Sequence, residues 1–202
     1  MKEDEFYTVS GTSKGEYKER GSKFIAWAMP VKTEDEIKEK LQEIKNQYHD
    51  ARHHCYAYQI GTRHPKYRVN DDGEPSSTAG KPIFGQIQSY NVTNIIVIVI
   101  RYFGGTKLGT SGLIRAYKTA AEEALKNARI IKKTINRTYQ IEFEYPSMND
   151  VMKLLHELNI EPFNKSFKEN CVFKFHVRIS MAENILIRFK SIKNLKIYDI
   201  TN

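Results

Sequence analysis

The sequence predicts an α+β protein of two domains, and three observations carry that prediction. The run Ile95 to Ile100 is short, apolar and β-branched, the signature of a strand buried on both faces. Helical stripes and strand-like segments alternate on either side of it. Beyond residue 137 the pattern restarts as strand, helix, strand, strand, helix, strand, the ferredoxin-like βαββαβ order. With 202 residues, 40% of them hydrophobic, the chain can fill two small cores. Boundaries are expected at 1–133 for the first domain and 137–202 for the second, with Ile131 to Arg137 as the linker.

In the first domain, residues 6–31 read as short strands interrupted at Ser13-Lys14-Gly15 and Arg20-Gly21-Ser22. Thr33 to Tyr48 reads as a helix. Thr33 and Glu36 form a capping box, and Ile37, Leu41, Ile44 and Tyr48 form one apolar stripe. Cys55 to Ile60 is a strand, 61–76 a polar loop, and a short helix carries Phe84, Ile87 and Gln88. Gly104 to Gly112 is a glycine-rich loop leading into a helix from Leu113 to Ala128, whose small alanines imply close packing on a sheet. In the second domain the strands are Tyr139 to Tyr145, Phe163 to Phe167, Cys171 to Ile179 and Leu195 to Ile200. The helices are Ser147 to Leu158 and one carrying Ile185, Leu186, Phe189 and Ile192.

Composition bounds the function classes. The start, Met1 to Phe6, is acidic rather than basic-then-apolar, so no secretory signal is expected. Six apolar residues cannot cross a bilayer, so no membrane span is expected. Cys55 and Cys171 lie far apart without metal-type spacing, which points to a reducing, cytoplasmic home. The formal net charge is +8. Residues 1–136 hold 22 Lys and Arg against 16 Asp and Glu (+6), and the remainder 10 against 8 (+2). A basic surplus favours polyanions such as RNA, and many proteins carry one without binding any.

Three stretches could carry chemistry. Asp71, Asp72 and Glu74 place three carboxylates in four residues, followed by Thr78 and Lys81. Such a turn needs a cation, basic side chains or backbone N–H groups, or it faces water. Taken alone it reads first as a solvated turn or as salt-bridge partners for arginines such as Arg101 or Arg115. A Mg²⁺ or acid–base site is the functional alternative. The second stretch runs from Arg101 through Gly104, Gly105, Lys107, Gly109, Thr110 and Gly112 to Arg115. Glycines before a helix start, with three cations, suit an anion or a nucleic-acid backbone, and Thr110 or Ser111 could cap the helix. It is neither a Walker A loop nor a dinucleotide fingerprint. A tight turn whose glycines serve packing is the competing account. The third holds His53 and Cys55 on one strand face and reads as a structural cysteine beside a polar histidine. In the second domain Lys174, His176 and Arg178 share a face, while Phe173 and Phe175 take the core face. No aromatic stacking platform is therefore expected there, and ion pairs from Glu142 and Glu144 account for the stripe.

The chain resembles the YigZ/IMPACT family. The likeness rests on Ala51-Arg52-His53-His54-Cys55-Tyr56-Ala57, Asp71-Asp72-Gly73-Glu74-Pro75, Thr78-Ala79-Gly80-Lys81-Pro82, Arg101-Tyr102-Phe103-Gly104-Gly105, Lys107-Leu108-Gly109 and Gly112-Leu113-Ile114-Arg115-Ala116-Tyr117, in that order. Ser77 and Ser111 stand where the family pattern expects glycine, and each restricts access to positive φ. The resemblance implies an N-terminal domain like the second domain of a small-subunit ribosomal protein, with a left-handed βαβ unit. It implies a C-terminal domain similar to the fifth domain of elongation factor G. Eukaryotic IMPACT restrains a starvation-sensing kinase pathway acting on translation initiation, through a protein partner. Together with the basic surplus and the anion-suited loop, the resemblance points to a non-enzymatic translation-associated regulator that binds RNA or a ribosomal or protein surface, without a cofactor. The alternative is an enzyme acting on a phosphorylated or nucleotide substrate with Mg²⁺ on Asp71, Asp72 and Glu74.

Overall fold

The computed structural model describes residues 4–201. Residues 1–3, part of the acidic start read above, lie outside them. In chain order the elements are β1 (Glu5–Val9), β2 (Ser13–Glu19), β3 (Ser22–Pro30), α1 (Glu34–Gln47), β4 (His53–Ile60), β5 (Lys66–Asn70), α2 (Gly80–Ser89), β6 (Ile95–Tyr102), α3 (Gly109–Lys126) and β7 (Ile130–Thr134). There follow β8 (Asn136–Phe143), α4 (Met148–Glu157), β9 (Phe163–Phe167), β10 (Cys171–Arg178), α5 (Ala182–Lys190) and β11 (Lys196–Asp199). The chain divides into one unit of residues 6–133 and another of 134–201 together with 4–5. Residues 4–5 join the second unit because its side chains hold them. Arg178 Nη2 lies 3.1 Å from Glu5 Oε1, and Ser180 Oγ donates to Asp4 Oδ2 at 2.5 Å.

The first unit is a five-stranded antiparallel sheet in the order β2-β3-β6-β4-β5. Ile95 to Ile100 occupies its centre and is fully buried, as its composition requires. Because helices cover both faces of the sheet, the two rows of β6 side chains feed two cores. Ile96, Ile98 and Ile100 pack with Ile37 and Ile44 of α1. Val97 and Val99 pack with Ile83 and Ile87 of α2 and with the alanine face of α3. Helix α1 begins as expected, with the Glu36 N–H donating to Thr33 Oγ1 at 3.2 Å, although the Glu36 carboxylate reaches back to the Lys32 N–H rather than to Thr33.

Strands β3 and β4 are parallel to each other across β6, and α1 connects them over one face. Strands β5 and β6 are parallel across β4, and α2 connects them over the other face. The second crossover reverses both strand direction and direction of travel across the sheet. With its helix also on the opposite face, it must have the opposite hand. One of the two is therefore left-handed, against a preference of roughly 98% for right-handed crossovers. Helix α3 lies close on β2. A Cβ at Gly15 would stand 2.3 Å from the Ala124 nitrogen, so that position needs glycine.

Three expectations are corrected. The polar stretch 61–76 contains a strand, β5, with its first three residues exposed. The expected linker 131–137 contains the boundary between the units, at 133/134, but apart from Ile135 it is strand: β7 pairs with β1 in a two-stranded sheet, and β8 begins at Asn136. The glycine-rich loop is shorter, because α3 starts at Gly109.

The second unit is a four-stranded antiparallel sheet in the order β11-β8-β10-β9, the strand order of a ferredoxin-like fold. Tyr139, Ile141, Phe143, Phe173, Phe175 and Val177 face α4 and α5, with Phe143 and Phe173 edge-to-face at 5.1 Å. Both helices pack on that side of the sheet.

Candidate functional site: a cleft beside the start of α3

The acidic turn lies between β5 and α2, and its three carboxylates part ways. Asp71 faces the start of α2. It accepts from the N–H groups of Ser77 (2.8 Å), Ala79 (3.0 Å) and Gly80 (2.8 Å), so it satisfies donors that a helix start leaves orphaned. Burial pushes its carboxyl up, but those donors and nearby Lys81 outweigh burial and hold it below the usual range. Asp72 sits at φ 41° ahead of Gly73 at φ 85°. Its carboxylate accepts from the His54 N–H at 2.6 Å, and its carbonyl lies 2.8 Å from His53 Nδ1. A carbonyl only accepts, so Nδ1 carries the His53 proton in this contact.

Glu74 turns inward. Its Oε1 accepts from Arg101 Nη1 at 2.6 Å and from the Tyr117 hydroxyl at 2.8 Å, and both ion-pair side chains are buried, at 8% and 4% exposure. Cys55 Sγ lies 3.3 Å from the Tyr117 oxygen and 3.0 Å from the Asp71 carbonyl. Its single proton serves one of them at a time. The result is a buried polar chain, Cys55–Tyr117–Glu74–Arg101, linking β4, α3, the acidic turn and β6. Burial pushes the Cys55 thiol and the Tyr117 phenol well up, so both stay protonated. The expectation of arginine pairing thus holds for Glu74 with Arg101. It fails for Asp71 and Asp72, whose partners are backbone N–H groups.

This divergence bears on how well the three carboxylates would fit Mg²⁺. A shared cation needs oxygens that converge, and here one carboxylate caps a helix, one binds a strand N–H and one neutralises a buried guanidinium. Among the described residues no three of His, Cys, Asp and Glu are grouped to hold a metal ion. The donor set does not fit the ion.

Of these residues Glu74, Arg101 and His53 also line a cleft of about 750 Å³, together with Asp50, Arg52, Tyr102, Phe103, Lys107 and the first turn of α3 among others. Arg101 lies 5.6 Å from the ring centroids of both Phe24 and Phe103, and its buried Nε has no hydrogen-bond partner among the described residues. Tyr102 donates to Asp50 at 2.7 Å, and that bond pushes its hydroxyl up to about 12. The start of α3 differs from that of α1, capped by Thr33, and from that of α2, whose first N–H groups donate to Asp71. Its N-cap is Leu108, no side chain caps it, and its first turn holds no acidic residue. Thr110 and Ser111 therefore do not cap the helix; both lie within its first turn.

The glycine-rich stretch splits into different roles. Gly104 packs back to back with the β2–β3 turn, where a Cβ would come within 1.9 Å of the Gly21 carbonyl carbon. Gly105 and Gly109 adopt φ 86° and 71° with open space around them. Gly112 is buried inside α3. Lys107, Gly109 and Thr110 line the cleft; Arg115 does not, being ion-paired with Glu19. Thr78 is buried, its hydroxyl donating to the Pro75 carbonyl at 2.6 Å, and Lys81 is exposed on α2. Arg52, Phe103 and Tyr117 were not singled out from the sequence. Arg52 and Phe103 stand inside motifs quoted for other residues, and the hydroxyl of Tyr117 is hidden by its place on an apolar helix face.

Fold and site together define a two-domain α+β protein whose first unit carries a cleft lined by Arg52, Lys107 and the start of α3. The family model described as the Impact N-terminal domain matches residues 20–125. The IMPACT family member YvyE of Bacillus subtilis is 34% identical over 172 residues, 85% of this chain and 79% of that protein. The IMPACT family member YigZ of Escherichia coli is 32% identical over 149 residues, 73% of each chain. Rat Protein IMPACT is 31% identical over 94 residues, 45% of this chain and 30% of that protein. The chain belongs to the IMPACT family. A crystal structure described as that of a hypothetical protein superposes with a TM-score of 0.73 over 98% of both chains at 24% identity, which establishes the likeness of fold.

Proposed function

We propose that this chain is a translation-associated regulatory protein that binds RNA on the ribosome through the cleft beside α3. Family membership and the basic surplus support this reading, and one observation carries it. The cleft pairs an uncapped helix start with Lys107 and Arg52, while the acidic side chains near it are engaged by other groups. An uncapped start offers N–H donors and a partial positive charge, which suit a phosphate. Arg101 neutralises Glu74 internally, so Lys107 and Arg52 stand against a single exposed carboxylate in the lining, Asp50, which meets the Tyr102 hydroxyl.

The test is cosedimentation with ribosomes and filter binding to RNA across a salt series. Affinity should fall steeply with salt, and Lys107→Ala or Arg52→Ala should each flatten the log–log slope by about 0.7. Arg115→Ala should change little, because Arg115 is engaged by Glu19 outside the cleft. Absence of binding at low salt, or binding unaffected by both cleft substitutions, would overturn the proposal.

A further inference from the structure

The open face of the second unit's sheet carries an arrangement that the strand sequences hide. Register places Tyr198 of β11 opposite Gln140 of β8, Gln140 opposite Lys174 of β10, and Lys174 opposite Phe163 of β9. Residues directly opposite each other share a face, so these four form one row across the sheet. The row lies on the side away from the core of Tyr139, Phe173 and Phe175. At strand spacing, the two aromatic positions stand about 14 Å apart. His176, exposed in the adjoining row, stacks on Phe163 with ring centroids 4.6 Å apart, and Thr138 meets its Nδ1 at 3.1 Å. Tyr198 is 43% exposed. Lys174 makes no ion pair among the described residues, so the expectation of a stripe neutralised by Glu142 is not met: Glu142 faces Val172 and accepts from Asn170 at 2.8 Å.

From these positions we infer that the open sheet face of the second unit binds single-stranded RNA, with bases stacking on Tyr198 and on the Phe163–His176 pair and backbone phosphate held by Lys174. Phe173 and Phe175 take the core face as expected, so the aromatics of this row come from the two edge strands rather than from the central ones. Isolated flat rings separated by Gln140, Thr138 and Lys174 suit bases joined by charged phosphates. A protein partner's helix or apolar strand would need a continuous apolar patch, which this row does not offer. Double-stranded RNA has its bases stacked inside the helix and presents no free faces to the rings. The inference is independent of the cleft beside α3.

The experiment uses the full chain and fluorescence anisotropy with labelled eight-nucleotide oligouridylate and oligoadenylate, and a labelled sixteen-base-pair RNA duplex. Single strands should bind more tightly than the duplex. Tyr198→Leu and Phe163→Leu, which keep apolar bulk, should each weaken oligonucleotide binding about tenfold. Lys174→Gln should flatten the salt slope by about 0.7. An unchanged melting temperature for Tyr198→Leu, at an exposed position, separates lost stacking from lost folding. The inference is overturned if the duplex binds as well as the single strands, or if the oligonucleotides do not bind. It is also overturned if Lys107→Ala abolishes their binding while the three sheet variants leave it intact, a result that would leave the cleft proposal standing.

Discussion

Replacing Glu74 by Gln should be among the most damaging isosteric changes in the first unit. The substitution keeps the shape of the side chain and can still meet the Tyr117 hydroxyl, but it removes the only ion-pair partner Arg101 has among the described residues. With the two side chains 8% and 4% exposed, water cannot replace the lost carboxylate. Breaking a buried pair from one side costs about 3–5 kcal/mol, and Arg101 already leaves its buried Nε unpartnered among the described residues. A loss of that size lowers the melting temperature by roughly 10 °C or more in a unit of this length. Trp27, the single tryptophan, lies on β3 of the same sheet, so its fluorescence in a urea titration reports this unit's transition. The double change Glu74→Leu with Arg101→Met should recover most of the loss, because it removes both charges. The difference between Glu74→Gln and the parent should also persist at high salt, since buried pairs are poorly screened. A Glu74→Gln protein within about 0.5 kcal/mol of the parent would refute the reasoning, as would a double variant no better than the single.

Ser77 holds φ 65°, a conformation that costs an L-residue about 1 kcal/mol, so Ser77→Gly should raise the unfolding free energy read from a urea titration by up to that amount while keeping the N–H bond to Asp71. No gain, or a loss, would show that the strain is not there. Asp71→Asn should cost about 1–2 kcal/mol at neutral pH through weakened capping of α2. The folded carboxyl titrates below its unfolded counterpart, so its stabilisation is complete above about pH 4 and lost as pH falls through the lower folded value. The gap between Asp71→Asn and the parent, read from melting curves, should therefore close on acidification; a gap that widened would reverse the sign assigned to Asp71.

What the sequence showed, and what it hid, follows from the range of the interactions involved. The start of α1 was legible because Thr33 and Glu36 act within one turn. Strand β6 was legible because burial on both faces demands an unbroken apolar run. Strand β5 was not, because an edge position leaves Lys66, Tyr67 and Arg68 in solvent and erases the alternation. Strand β7 was not, because its partner β1 lies at the other end of the first unit's chain. The acidic turn was legible as a cluster needing compensation. Which carboxylate meets which partner depended on Glu74 turning inward to β6 and α3, a placement that spacing does not encode. Arg115 shared a motif with Arg101, yet helical geometry carried it away from the cleft to Glu19.

The position of β6 in the sheet also sets the order in which the chain can close during synthesis. The strands on its two sides, β3 and β4, leave the ribosome well before it does, and neither pairs with the other. Until Ile95–Tyr102 emerges, the nascent chain holds two half-sheets with open inner edges and apolar faces that have no complete core to enter. Long-range closure of this kind is slow and leaves edges exposed to other chains in the interval. A nascent chain halted before β6 should accordingly be a substrate for holding chaperones, and one halted after α3 should not.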